Sequence, residues 1–195
     1  DEGAWETDKT NEEVLKVMEI VKQRLKRQGM IVDIGIDCAS SSFYKNKNYA
    51  YKNPSRKYDR QKQIKYLKFL IERFKILYVE DGLEENDFTG FSILNNIPLL
   101  KKDGDKKRYL IVGDDLTTTN PQRLMAAIRM KSINAIIVKP NQIGSLLKVK
   151  EVINLAKEKG IKTIISHRSG ETKDNTIADL GVGWDCDFIK TGIYG

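Results

Sequence analysis

The sequence predicts a parallel α/β fold, and within that class a (β/α) barrel of the TIM type. Three observations carry this. Six short apolar runs rich in Ile and Val alternate with longer stretches of helical period. Each run gives way to ionisable residues at its C-terminal end. No GxGxxG or GxxxxGK[ST] phosphate loop follows any of them. Polar strand ends suit a closed barrel and an open doubly wound sheet equally well, so the missing phosphate loops tip the choice to the barrel.

The elements follow in order. Residues 12–27 set Val14, Met18, Val21 and Leu25 on one helical face, with Asn11 placed to cap the start and Gly29 beyond the end. IVDIGID (31–37) is the first strand. After a basic loop, Gln61–Phe74 forms a helix through Ile64, Leu67, Leu70 and Ile71. KILYVED (75–81) and YLIVGDD (109–115) are the next strands. Asn120-Pro121 then opens a helix whose buried stripe is Leu124, Ala127 and Ile128, a cap followed by proline at the first helical position. AIIVKPN (135–141) is a strand, and Ser145 caps a helix with Leu146, Val149, Ile153 and Ala156 inward, closed by Gly160. TIISHRS (163–169) and DFIKTG (187–192) complete the series. Strand alternating with helix means a parallel sheet.

Composition bounds the function. With 195 residues, 40% hydrophobic and 31% charged, the chain can bury one substantial core, which excludes disorder as its main state. No apolar run approaches the roughly 20 residues of a membrane span, and the opening DEGAW lacks the basic start of a leader, so a cytoplasmic protein is expected. Cys38 and Cys186 read as small buried hydrophobes in a reducing compartment. The net charge of +7 is concentrated in residues 45–68, where nine Lys/Arg face the single acid Asp59 among Tyr49, Tyr51, Tyr58 and Tyr66. Interleaved cations and aromatics can bind single-stranded nucleic acid. A lysine-rich solvated face is the simpler reading.

The strand ends carry the chemistry. Asp37, Glu80 and Asp114 follow neighbouring strands and would repel one another in a shared cleft; a divalent cation resolves that, and an oxygen-only ligand set favours Mg²⁺. Helix capping is the other use for such carboxylates, and Asp115 suits it. Lys139 and Lys190 end later strands, and a closed barrel would aim them at the same centre, where a lysine near a metal ion and other cations has its pKa lowered and can serve as a general base; a buried salt bridge that neutralises the three acids is the other use for such lysines. In SHRSGET (166–172), His167, Arg168 and Ser169 offer donors to a small anion, and the SGET turn can begin a helix whose amides face it. These residues point to a metal-dependent enzyme that binds an anionic substrate and moves a proton.

DEGAW (1–5), IDCASSSFY (36–44), VEDGLEENDF (79–88), VGDDLTTTNPQRL (112–124), VKPNQIGSL (138–146), SHRSGETKDNTIADLGVG (166–183) and IKTG (189–192) resemble the enolase family, its archaeal branch in particular, in order and along essentially the whole chain. The resemblance implies a barrel of the enolase superfamily over residues 1–195, incomplete at both ends and without the N-terminal capping domain. It implies reversible dehydration of 2-phospho-D-glycerate to phosphoenolpyruvate in glycolysis and gluconeogenesis. Asp37, Glu80 and Asp114 would hold Mg²⁺, Lys139 would take the α-proton, and Glu2 would assist departure of the 3-hydroxyl. His167, Arg168 and Ser169 would contact substrate, the last two through phosphate, and Lys190 would pair with its carboxylate. A homo-oligomer, dimer or higher, is implied for the full-length protein, with no membrane or nucleic-acid partner, and weak or no turnover for this chain alone. The competing expectation is a binding protein on the same scaffold, using residues 45–68 for RNA or an anionic surface.

Overall fold

The computed structural model describes residues 6–97 and 109–192. The described chain begins with α1 (Asn11–Arg27) and β1 (Ile34–Asp37), followed by a small antiparallel sheet of β2 (Tyr44–Lys45), β3 (Asn48–Tyr51) and β4 (Arg56–Tyr58). Then come α2 (Arg60–Phe74), β5 (Ile76–Glu80), α3 (Phe88–Asn95), β6 (Leu110–Gly113) and α4 (Pro121–Arg129). The last part is β7 (Ala135–Val138), α5 (Pro140–Ile143), α6 (Leu146–Glu158), β8 (Lys162–Ser166), α7 (Thr176–Gly183) and β9 (Phe188–Lys190).

Six of these strands form one parallel sheet in the order β1-β5-β6-β7-β8-β9, so spatial neighbours are successive strands joined by helical crossovers. The sheet is curled. Were it flat, six strands at about 4.8 Å spacing would put β1 and β9 roughly 24 Å apart. Instead, the Lys190 ammonium of β9 lies 2.9 Å from the Asp37 carboxylate of β1. The result is an open α/β barrel.

Strand parity sorts the core into two layers. Val79, Ile111, Ile136 and Val138 face outward and join Leu67, Leu70, Leu124, Val149 and Ile153 of the helices. Val112, Ala135, Ile137 and Ile164, with Tyr78 and Leu110 against them, fill the inside of the curl. Burial on both faces explains why the runs are continuously apolar instead of alternating.

Several local expectations are corrected. Helix α1 is capped by Thr10, whose hydroxyl accepts the Glu13 amide while the Glu13 carboxylate accepts the Thr10 amide; Asn11 is already helical. Its buried residue is Leu15, whereas Met18 and Val21 stand 37% and 46% exposed, because α1 packs chiefly on α2. Asp59 caps α2, so that helix begins at Arg60 and not at Gln61. Ser145 precedes α6 without a side-chain cap bond, and Leu146 faces solvent while Val149, Val152, Ile153 and Ala156 are buried. Asn120, not Asp115, caps α4. The SGET turn does not open a helix; α7 starts only at Thr176.

The basic stretch, expected as loop, holds β2–β4. Alternation in Tyr44, Tyr49, Tyr51 and Tyr58 places these rings on one face, where Tyr51 packs edge-on against Tyr58 and Tyr66. The Arg56 guanidinium lies 4.4 Å from the Tyr66 ring centre, 5.1 Å from Tyr51 and 5.2 Å from Tyr58, and pairs with Glu12. The aromatics and Arg56 are therefore spent on packing this sheet against α2, while Lys45, Lys47, Lys52, Lys57 and Arg60 stand outside that cluster and are exposed.

Candidate active site at the strand ends

Inward-facing parity continues past the packed layer. Asp37 lies two residues beyond Gly35, Glu80 beyond Tyr78, Asp114 beyond Val112, Lys139 beyond Ile137 and Lys190 beyond Phe188. Side chains two apart on a strand share a face, so five ionisable groups from five strands gather over the barrel interior at its C-terminal mouth.

Their contacts interlock. Lys139 pairs with Asp114 Oδ2. Lys190 Nζ lies 2.7 Å from Glu80 Oε1 and 2.9 Å from Asp37 Oδ2, joining residues 110 and 153 positions away in sequence. Asp37 Oδ1 accepts the Ala39 amide at 3.1 Å. The Lys139 backbone is itself pinned: its N–H donates to the Thr119 hydroxyl at 2.9 Å, which donates to Gln142 Oε1 at 2.6 Å.

Above this network opens a cavity of about 440 Å³ lined by Asp37, Asp114, Lys139, Asn141, Ser166, His167, Arg168, Ser169 and Lys190. Arg168 Nη1 donates to Asn141 Oδ1 at 3.1 Å, which holds the exposed guanidinium at the rim. His167 is buried, and its backbone N–H donates to Lys190 O. Ser166 and Asn141 lie outside the residues singled out from the motifs. For Ser166 the signal was available: inward parity from Ile164 selects Ser166 rather than His167. For Asn141, just past a strand end, parity gives nothing. Glu2 lies outside the described residues.

Asp37, Glu80 and Asp114 are the expected ligand set; among the described residues, Glu80, Asp81 and Asp114 each bring one carboxylate oxygen within 4.8 Å of the others. Asp81 is engaged in building the site. Its Oδ1 accepts the Asp114 amide at 3.1 Å and its Oδ2 the Asp115 amide at 2.8 Å, so it latches the turn that carries Asp114. Asp37 completes the cluster through Lys190 and, unlike Asp81, lines the cavity.

Burial shapes the charges. Glu80 is fully buried, and burial together with the Asp37 charge pushes its carboxyl up to about 7, against the pull of Lys190 and Tyr78. Burial likewise pushes Asp81 up to about 8, although two amides stabilise its charge. Burial opposes the charge on Lys190, but Glu80 and Asp37 outweigh it and hold the ammonium above its ordinary range. A cation fits here on one observation in particular: Asp114 Oδ1 is buried and accepts no hydrogen bond among the described residues. Clustered acids with such an orphaned oxygen form a donor set suited to a hard metal ion.

A family model described as the C-terminal TIM barrel domain of enolase matches residues 1–195. The chain belongs to the enolase C-terminal barrel family. It is 39% identical along its full length to the enolase of Pyrobaculum aerophilum, 38% to that of Thermoplasma acidophilum and 40% to that of Natronomonas pharaonis, covering 45%, 47% and 47% of those proteins. The chain thus spans about half the length of the curated enolases it matches. The fold agrees with this membership: a curled parallel sheet with helices outside and its charged cluster where barrel enzymes keep their active sites. Among the described residues no helix is long and apolar enough to cross a membrane.

Proposed function

We propose that this barrel carries the catalytic centre of an enolase, converting 2-phospho-D-glycerate reversibly to phosphoenolpyruvate with Mg²⁺. One observation supports this above the rest: Lys139 and Lys190 meet Asp114, Glu80 and Asp37 in a single ion-pair network drawn from strands at both margins of the sheet. Asp37, Glu80 and Asp114 would hold the metal, with Asp81 bracing the turn behind Asp114. When bound, the metal supplies concentrated positive charge to the substrate carboxylate. Lys139 takes the α-proton, which requires its neutral form at the moment of attack. Lys190 offers its ammonium to the carboxylate, whose negative charge grows as that proton leaves. Arg168 and Ser169 hold phosphate at the cavity rim, and His167 contacts the substrate beside them. Enolase-superfamily sites pair a lysine or histidine base with Mg²⁺ in this way. Glu2 is proposed as the acid for the 3-hydroxyl.

Cytoplasmic location and homo-oligomer formation by the full-length protein belong to the same proposal. With β1 and β9 lacking an outer neighbour among the described strands, turnover by the 195-residue chain is expected to be weak. The test is exchange of the substrate α-proton with solvent deuterium, followed by NMR in the full-length protein. Lys139→Ala should lower exchange by at least about 100-fold, the scale of a lost general base, and leave Mg²⁺ binding nearly intact. Exchange at the unsubstituted rate would remove Lys139 from the base role.

A further inference from the structure

Glu80 is fully buried, and a glutamate has enough side-chain torsions that burial alone does not aim its carboxylate. One of its oxygens, Oε1, faces Lys190 at 2.7 Å. The other, Oε2, accepts a hydrogen bond from the phenol of Tyr78. Tyr78 stands two residues earlier on the same strand, so its ring belongs to the packed inner layer, against Val112, Ala135, Ile137 and Ile164, and its hydroxyl rises from that layer to the carboxylate above.

The neighbouring strand makes room for this ring. Gly35 of β1 pairs with Tyr78, and a Cβ at residue 35 would lie 3.2 Å from Tyr78 Cβ and 3.3 Å from its Cδ1. Such contacts are tighter than ordinary packing, so any larger residue on β1 would push against the ring that carries the hydroxyl. A phenol keeps its proton at neutral pH and so remains a donor there.

The three carboxylates are held differently. Asp37 leans on the amide of its own loop, and the turn carrying Asp114 is fixed by Asp81. Glu80 alone is braced from inside the barrel by a neutral side-chain donor. We propose that Tyr78 is a positioning residue for Glu80, its hydroxyl occupying Oε2 so that the carboxylate presents Oε1 to a divalent cation. This rests on the reading of Glu80 as a metal ligand. Donors behind a ligating carboxylate fix its orientation, and their loss typically weakens metal binding by about 10- to 100-fold.

Tyr78→Phe removes one oxygen and leaves the ring against Gly35. Calorimetric titration of the 195-residue chain with Mg²⁺, well below the melting temperature of each variant, should show at least about 10-fold weaker binding for Tyr78→Phe. Tyr109→Phe serves as the control, because it also deletes a phenol hydrogen bond, to Ile97 O at 3.0 Å, but outside the cavity; its Mg²⁺ affinity should match the parent. If Tyr78→Phe binds within twofold of the parent while Glu80→Gln loses binding, the positioning role is wrong and the metal reading stands. If Glu80→Gln binds like the parent, both fall together. Equal weakening by Tyr78→Phe and Tyr109→Phe would mark a general loss of packing and also overturn the proposal.

Discussion

The middle of the curled sheet and its two margins are built to different standards. On β6 and β7, Ile111, Val112, Ala135, Ile136, Ile137 and Val138 are all fully buried, with a strand on each side and helices outside. At one margin, α1 leaves Val17, Ile20 and Val21 about half exposed, beside Ile31 at 88%; at the other, Phe188 and Ile189 of β9 are 46% and 49% exposed. The charged network spans both kinds of region: Glu80, Asp114 and Lys139 come from the middle, Asp37 and Lys190 from the edge strands. Two of the three acids proposed to hold a metal, Glu80 and Asp114, therefore sit on the fully packed middle of the fold, whereas Asp37 and Lys190, which close the site, sit on strands that have one neighbour among the described residues.

The largest expected effect breaks the middle. Ile137→Ala opens a hole in the inner layer directly below Lys139 and should cost about 2–5 kcal/mol in chemical denaturation, since a fully buried isoleucine loses both its transfer energy and its packing partners. A loss under about 1 kcal/mol would mean the inner layer is not tightly packed.

A smaller effect comes from the acids. On folding, burial and the Asp37 charge push the Glu80 carboxyl from 4.5 up to about 7. Between those values the folded state holds the extra proton, so its stabilising contribution is complete below about pH 4.5 and is lost as pH rises through about 7. Without metal, the melting temperature of the parent relative to Glu80→Gln should therefore fall from pH 5 to pH 8, and saturating Mg²⁺ should reverse the fall, because the ion binds the charged form. A difference that stays constant or rises with pH would contradict the buried, charge-crowded placement of Glu80.

The smallest effect belongs to the margin. Ile20→Ala on α1 should change stability by no more than about 0.5 kcal/mol, because its side chain already meets water. A cost of several kcal/mol would show that this face is covered in solution.

Much of this arrangement was legible in the chain. Continuous Ile/Val runs mark strands buried on both sides, and all six appear, though shorter than their apolar runs. The residues ending those runs do converge, because parallel strands all end at one edge of the sheet and the curl draws that edge together. What stayed hidden depends on tertiary packing. The hydrophobic period of residues 12–27 suggested a buried face that α1, packed chiefly on α2, covers only in part. The β2–β4 sheet was masked by its lysines, although the two-residue spacing of Tyr49 and Tyr51 was the available signal. Asp81 carries no signal of its own in the sequence, since no pattern shows that its carboxylate reaches across to the amides of Asp114 and Asp115.

The proposed function requires that carboxylates at the ends of β1, β5 and β6 share one cation at the barrel mouth. Crystals soaked in Mn²⁺ and measured at the manganese edge test it most directly. The expected result is a single anomalous peak in the cavity, within about 2.5 Å of oxygens from Glu80 and Asp114 and with Asp37 turned toward it. A peak elsewhere, or no peak with these carboxylates directed apart, would contradict it.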